Sequence, residues 1–129
     1  MVLDVDLKAH PAELARIALH EIFHFVWLRL NNAERRRWEQ LLMEELAAGA
    51  RGELGWSAEM RRNALRSGDL RRRTRRWRDY VCESFCDSAA WAFSGLRSHG
   101  EFTLPARFRP ARRRLLQEVF RHRGGEFPI

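Results

Sequence analysis

The sequence predicts a mainly α-helical protein with a small β element, an α+β arrangement in a single domain over residues 1–129. Apolar residues recur at helical spacing along most of the chain, whereas the alternation typical of strands is confined to two short stretches. Glycine and asparagine pairs separate the apolar segments. A chain of 129 residues is long enough to bury one hydrophobic core.

The N-terminal third predicts a strand followed by two helices. Residues 2–7, VLDVDL, alternate apolar and acidic side chains in the manner of a half-exposed strand. Pro11 suits a first helical turn, and the apolar residues that follow cover nearly every direction, which predicts a helix over about residues 11–30 that is buried on most sides. After an Asn-Asn pair, an amphipathic helix is expected over about residues 33–48.

The rest of the chain predicts three further helices. Residues 49–56 contain three glycines and form a connector, after which Ser57 is expected to cap a short helix that ends near residue 66. A long helix is predicted over about residues 74–95. A loop with a strand at residues 102–104 follows, and Pro110 opens a last helix that ends near residue 122.

The segment HEIFH, His20 to His24, places polar groups inside an apolar run. Residues four apart share a helix face, so His20 and His24 are predicted to direct two imidazole nitrogens at one ion. Glu21 lies beside that ion without ligating it. This is the H-E-x-x-H pattern of two zinc ligands and a general base, and a bound cation would satisfy groups that are otherwise costly to bury.

A second polar pair lies in the apolar segment YVCESFCDSAAWAF. Glu83 and Asp87 are four residues apart and therefore share one face of the long helix. We expect this face to meet the face that carries His20 and His24, because two buried helices with unpaired polar groups are best satisfied by each other. A catalytic zinc needs a third protein ligand, for which His10, His99, His122, several carboxylates and the two cysteines are candidates; this pair stands out among them.

His20-Glu21-x-x-His24 with a downstream Glu83-x-x-x-Asp87 resembles the gluzincin metallopeptidases, in particular the small single-domain minigluzincins. The resemblance covers about residues 11–30 and 74–95 and implies a zincin-like fold in which an active-site helix packs against a glutamate helix. It implies one Zn²⁺ bound by His20, His24 and Glu83. It also implies that Glu21 is the general base and that Asp87 holds His20 through its other ring nitrogen.

The activity implied by this resemblance is hydrolysis of a peptide bond in a peptide or protein substrate. Zinc activates a water, and Glu21 takes its proton and passes it to the leaving amine. Gluzincins use a further oxyanion donor, for which Tyr80 and His99 are the candidates here. In this family a sheet precedes the active-site helix, whereas here about ten residues do, enough for one strand.

The charge is divided unevenly, at −3 over residues 1–60 and +10 over residues 61–129. Arginines concentrate in residues 61–79 and 107–114. The favoured interpretation is a set of solvated helix faces, partly paired with Glu34, Glu39, Glu44 and Glu45 of the second helix. The alternative function is a non-catalytic or weakly catalytic metal-binding module whose basic face binds nucleic acid or a protein partner.

No segment has the length and purity of a membrane span, and the N-terminus lacks the pattern of a secretory signal. Cys82 and Cys86 are four apart, which favours two reduced thiols on one helix face over a disulfide. The sequence therefore predicts a cytoplasmic protein without membrane contact.

Overall fold

The computed structural model describes residues 11–122, and all regular structure in this range is helical. Six α-helices and one 3₁₀ turn follow one another. Their bounds are α1 Pro11–Arg29, α2 Asn32–Ala47, α3 Trp56–Asn63, α4 Asp69–Arg72, α5 Arg75–Phe93, the 3₁₀ turn Ala106–Phe108 and α6 Arg109–His122. No helix among these is both long and apolar enough to cross a bilayer.

The prediction of an α+β fold is wrong for the described residues, because residues 11–122 contain no strand. The segment predicted as a strand around Phe102–Leu104 runs beside the connector without forming a ladder. The amides of Thr103 and Leu104 both donate to one carbonyl, that of Glu53, at 2.8 and 2.9 Å. The Glu53 amide donates to the Thr103 side chain instead of to backbone, at 2.9 Å. The other predicted strand, residues 2–7, lies outside the described residues.

Helices α1 and α5 form the centre of the molecule and pack against each other along their lengths. Phe85 of α5 is the focus of this packing. Its ring centroid lies 5.9 Å from that of Phe23, 5.1 Å from that of Trp27 and 5.5 Å from that of Trp38. Buried aromatic pairs at these distances contribute both apolar area and favourable ring geometry. This packing sets the faces of α1 and α5 that meet.

The helix starts are fixed by local and by distant groups. Asn31 forms a capping box with Glu34, whose amide donates to the Asn31 side chain at 2.8 Å. The predicted cap of α3 at Ser57 is wrong, because that helix begins at Trp56 after Gly55. Its first-turn amides are instead bound by carboxylates from elsewhere in the chain, so no local cap is needed.

A smaller apolar cluster holds the connector against the end of α5. Its buried members are Ala50, Leu54, Trp91, Phe102 and Leu104. Gly52 allows the close approach, since it has a φ of 88° and a Cβ there would lie 2.4 Å from the Thr103 carbonyl oxygen. The connector is thereby held beside α5, and its last residues reach the polar face of that helix.

Candidate metal centre

Helix α1 supplies two imidazoles to one point in space. His20 and His24 lie one turn apart, and their Nε2 atoms are 3.1 Å from each other. The rings are nearly perpendicular, with centroids 4.8 Å apart. Both nitrogens therefore point at the same location, as two ligands of one ion do.

Helix α5 supplies a carboxylate to the same point. The Glu83 Oε2 atom lies 3.3 Å from His20 Nε2 and 3.5 Å from His24 Nε2. This oxygen is buried, and no donor meets it with good hydrogen-bond geometry. The three atoms form a nearly equilateral triangle with an unsatisfied carboxylate oxygen at one corner. We call these three residues the His-Glu site.

The dimensions of this triangle fit a tetrahedral zinc ion. Two ligand atoms that each lie about 2.0–2.1 Å from a tetrahedral centre are about 3.3 Å apart. The three measured separations run from 3.1 to 3.5 Å. Two imidazoles and one carboxylate are also a ligand set found in catalytic zinc sites, where the fourth position stays open. The residues present therefore fit zinc in geometry and in chemistry.

Asp87 fixes the orientation of the first histidine. Its Oδ1 atom lies 2.6 Å from His20 Nδ1, and because a carboxylate only accepts, Nδ1 is the donor. In the neutral ring, a proton on Nδ1 leaves Nε2 of His20 as the atom that can bind an ion beside Glu83. A carboxylate behind a ligating imidazole is the usual way in which proteins orient such rings.

Asp87 is itself fixed by the start of α3. The Ala58 amide donates to Asp87 Oδ2 at 2.8 Å. Gly55 lies so close that a Cβ at this residue would be 2.2 Å from the Asp87 Cγ atom. Sequence reasoning missed both contacts, because the approach of a backbone segment from residues 55–58 leaves no pattern in the local sequence.

The electrostatics of the site favour a positive charge between these groups. Burial alone would lower the pKa of His20, but its hydrogen bond to Asp87 and the nearby carboxylate of Glu83 raise that pKa to about 10. Burial alone would raise the pKa of Glu83, yet the two histidine rings hold it below its ordinary value. Two carboxylates facing two imidazoles thus favour a cation in their midst, whether a proton or a metal ion supplies it.

The site is open on one side. The side chain of His24 is 34% exposed, whereas that of Asp87 is 4% exposed. Glu21 is exposed and follows His20 directly on α1, so it lies about 100° around the helix from the first ligand. Asp87 is thus buried behind His20, whereas Glu21 is exposed on the helix that carries both histidines.

The structure brings together four of the predicted site residues and places two others elsewhere. His20, His24, Glu83 and Asp87 converge as described. The Tyr80 hydroxyl, proposed from sequence as an oxyanion donor, instead donates to Glu53 in a different buried cluster. His99 is also bound away from the His-Glu site.

His99 belongs to an acidic cluster near the start of α1. Its Nδ1 accepts from the Glu101 amide at 3.0 Å, so its Nε2 carries the proton and donates to Glu13 at 2.9 Å. Although Glu13, His99 and Glu101 lie close enough to hold an ion, buried Arg16 pairs with both carboxylates, at 2.7 and 3.2 Å. Because Arg16 already supplies the positive charge, this cluster is a weak candidate for a metal.

A softer set of donors adjoins the His-Glu site. His24, Cys82 and Cys86 have ligand atoms within 4.8 Å of one another, and both cysteines are free thiols. A hydrogen bond from Cys86 lowers the pKa of the Cys82 thiol. Burial raises the pKa of the Cys86 thiol. The fully buried Cys86 sits in the apolar core, which makes this set less ready to ionise than the His-Glu site.

A second polar cluster on α5 surrounds Arg112 of α6 and includes Glu45, one of the glutamates predicted to pair with arginines. The guanidinium is 0% exposed and donates five hydrogen bonds of 2.7–3.0 Å, two to Glu45, two to Glu53 and one to Ser88. Arginine has five N–H donors, so all of them are used. We call Arg112 with Glu45, Glu53, Tyr80 and Ser88 the Arg112 cluster. Nothing in the run RFRPARRR distinguishes Arg112 from its exposed neighbours.

No family model, no curated protein and no solved structure matches this chain.

Proposed function

We propose that this protein is a zinc-dependent peptidase of gluzincin type, with a peptide or protein as its substrate. One observation carries the proposal: the Nε2 atoms of His20 and His24 and the Oε2 atom of Glu83 lie 3.1–3.5 Å apart, the spacing of three ligands on a tetrahedral zinc. The buried and unsatisfied oxygen of Glu83 supports it, because such an oxygen is costly without a cation.

His20, His24 and Glu83 would hold the ion, and Asp87 would keep His20 in the tautomer that ligates through Nε2. When bound, zinc supplies a Lewis acid that polarises a carbonyl and lowers the pKa of water to about 7. Phe23 and Phe85, on the two helices that carry the ligands, are buried in the apolar core.

Glu21 is the proposed general base. Glu21 is exposed and adjoins the ligand His20 in sequence, and it would accept a proton from the attacking water and return it to the leaving amine. A positioned base of this kind contributes about 10²–10⁴-fold to rate.

Metal analysis tests the site itself. We expect one zinc per chain in the parent protein, loss of it in His20→Ala and Glu83→Ala, and retention in the control Glu44→Ala, which removes an exposed glutamate from α2. Inductively coupled plasma mass spectrometry after dialysis measures the ratio. Full zinc affinity in Glu83→Ala would mean that the third ligand is wrong.

Replacement of the base tests the chemistry. Glu21→Gln should keep zinc and the parent stability and should lose at least about a hundredfold in cleavage of a peptide library, since the amide cannot take a proton. Glu44→Gln is the matched control. If zinc-loaded parent protein cleaves no peptide, the hydrolase proposal fails while the metal site stands.

The second candidate function is a metal-binding module that does not hydrolyse peptides. It is favoured by the positions of Tyr80 and His99, whose polar atoms are bound to Glu53 and Glu13 and leave both predicted oxyanion donors engaged elsewhere. Under this alternative, zinc binding persists and Glu21→Gln has no measurable consequence.

We further propose a cytoplasmic location. It is supported by Cys82 and Cys86, two neighbouring thiols that are free in the structure, as expected for a reducing compartment. Alkylation of both thiols in freshly lysed cells, followed by mass spectrometry, tests it.

A further inference from the structure

A groove whose lining includes five arginines runs between α2 and the junction of α4 with α5. It consists of two cavities of about 360 and 500 Å³ that share Arg36, Glu39 and Arg73. The first cavity also reaches Arg35 and Arg78, and the second also reaches Arg71. We call this feature the α2–α5 groove.

The groove holds more positive charge than its own carboxylate can balance. Glu39 is the acidic residue of its lining, and the Oε2 atom of Glu39 already accepts from Trp77 Nε1 at 2.6 Å and from Arg73 Nε at 2.9 Å. The side chains of Arg36, Arg71 and Arg78 are exposed, and Arg36 adds its charge to that of Arg73 in lowering the pKa of Glu39.

Arg73 occupies its place at a conformational cost. Its φ of 49° and ψ of 52° lie in the left-handed region, and within residues 11–122 it is the one non-glycine with positive φ. Glycine or asparagine normally takes this position after a helix. A side chain that is kept in an unfavourable backbone conformation suggests a role for that side chain, and the guanidinium of Arg73 lies at the point shared by both cavities.

We propose that the α2–α5 groove binds the phosphate backbone of single-stranded nucleic acid. Arginine matches phosphate oxygens with its planar fork of donors, and a strand carries one phosphate per nucleotide, so that one ligand can meet several of the exposed arginines. The amide side chains of Asn32 and Gln40 line the same groove and offer hydrogen bonds to bases. A peptide would need a run of acidic residues to present comparable charge.

The inference does not depend on the metal site, and binding can be measured without zinc. The probe is a fluorescein-labelled 20-nucleotide mixed-sequence DNA strand, followed by anisotropy from 50 to 200 mM salt. The groove variant is Arg36→Gln with Arg78→Gln. The matched control is Arg97→Gln with Arg114→Gln, which removes two exposed arginines from cavities beside Trp91.

Loss of two phosphate contacts should reduce the slope of log K against log salt by about 1.4, because each contact contributes about 0.7 for single strands. If parent and variant have equal affinity at 1 M salt, this change in slope makes the affinity of the variant at 0.1 M salt about 25-fold weaker than that of the parent. Arg73→Gly, which relieves the backbone strain, should reduce the slope by about 0.7 without lowering the melting temperature. The control pair should keep the parent slope.

Three results would overturn the proposal. The first is an absence of binding at 50 mM salt. The second is an equal loss in the groove and control variants, which would mean diffuse attraction by the net charge of +7. The third is displacement of the strand by inorganic pyrophosphate at equal ionic strength and micromolar concentration, which would assign the groove to a small phosphate ligand.

Discussion

The His-Glu site and the Arg112 cluster are two buried polar groups on the same helix, and they differ in how completely their atoms are paired. In the Arg112 cluster every guanidinium donor is used, and Glu53 accepts from Arg112, Tyr80 and Ser84. In the His-Glu site an oxygen of Glu83 is buried without a well-aligned donor, and two imidazole nitrogens face it.

The difference in pairing indicates that the Arg112 cluster stabilises the fold, whereas the His-Glu site is suited to binding a ligand. A buried charge cluster is tolerated when every member is satisfied, and it then specifies how the surrounding elements dock. The Arg112 cluster does this by joining α2, the connector, α5 and α6. The His-Glu site leaves one position that a cation would fill, and it is more exposed to solvent.

Removal of the Arg112 guanidinium should have the largest effect on stability. Arg112→Met leaves Glu45 and Glu53 buried without their partner, and we expect a loss of about 3–5 kcal/mol in the free energy of unfolding. Urea denaturation followed by circular dichroism measures it. The exposed neighbour in Arg114→Met should change stability by less than about 0.5 kcal/mol. Similar stability of the two variants would mean that the Arg112 cluster does not hold the fold together.

Filling the His-Glu site should give the next largest effect. Zinc at a hundred times its dissociation constant should raise the free energy of unfolding by about 2.7 kcal/mol, because the ion binds only the folded chain. Glu83→Ala should lose most of this gain at the same zinc concentration, and chelation should reverse it in the parent. An equal gain in both proteins would indicate zinc bound elsewhere.

A side chain added at Gly55, next to Asp87, should reduce zinc affinity at the His-Glu site more than it reduces the stability of the fold. Gly55→Ala places a methyl group 2.2 Å from the Asp87 Cγ atom, so the carboxylate must move. We expect zinc affinity to fall about 10–100-fold, as when a supporting carboxylate is lost, and stability to fall by about 1–3 kcal/mol. Gly100→Ala, where a Cβ meets nothing within 4 Å, is the control for competition titrations with a zinc indicator.

Replacement of Tyr80 tests whether this residue acts only in the Arg112 cluster or also at the His-Glu site. Tyr80→Phe removes a donor to Glu53, which retains both bonds from Arg112, so stability should fall by only about 1 kcal/mol. Zinc affinity and any peptidase activity should match the parent. A hundredfold loss of activity at unchanged stability would instead restore Tyr80 as an oxyanion donor.

The helical periodicity was sufficient to predict the central pair of helices. Predicted bounds of 11–30 and 74–95 compare with Pro11–Arg29 and Arg75–Phe93 in the structure. The meeting of His20 and His24 with Glu83 followed from polar residues four apart in two apolar segments, because such faces have few other ways to be satisfied.

What the sequence did not reveal depends on contacts between distant residues. Arg112 differs from Arg113 and Arg114 only in facing inward, where Glu45 and Glu53 happen to meet. The apparent cap at Ser57 failed because Asp87, 29 residues downstream of Ala58, binds the amide that a local cap would have bound. The extended segment at residues 102–104 lacked a ladder partner.

The connector, residues 49–56, links the Arg112 cluster to the His-Glu site. Glu53 is held in the Arg112 cluster, and Gly55 lies beside the Asp87 carboxylate that orients His20. Two peptide units span at most about 7 Å, so neither anchor can shift without pulling on the other. A substitution that loosens α6 should therefore also shift the proposed metal ligand His20 on α1. Only Leu54 separates Glu53 from Gly55, so movement of one residue displaces the other.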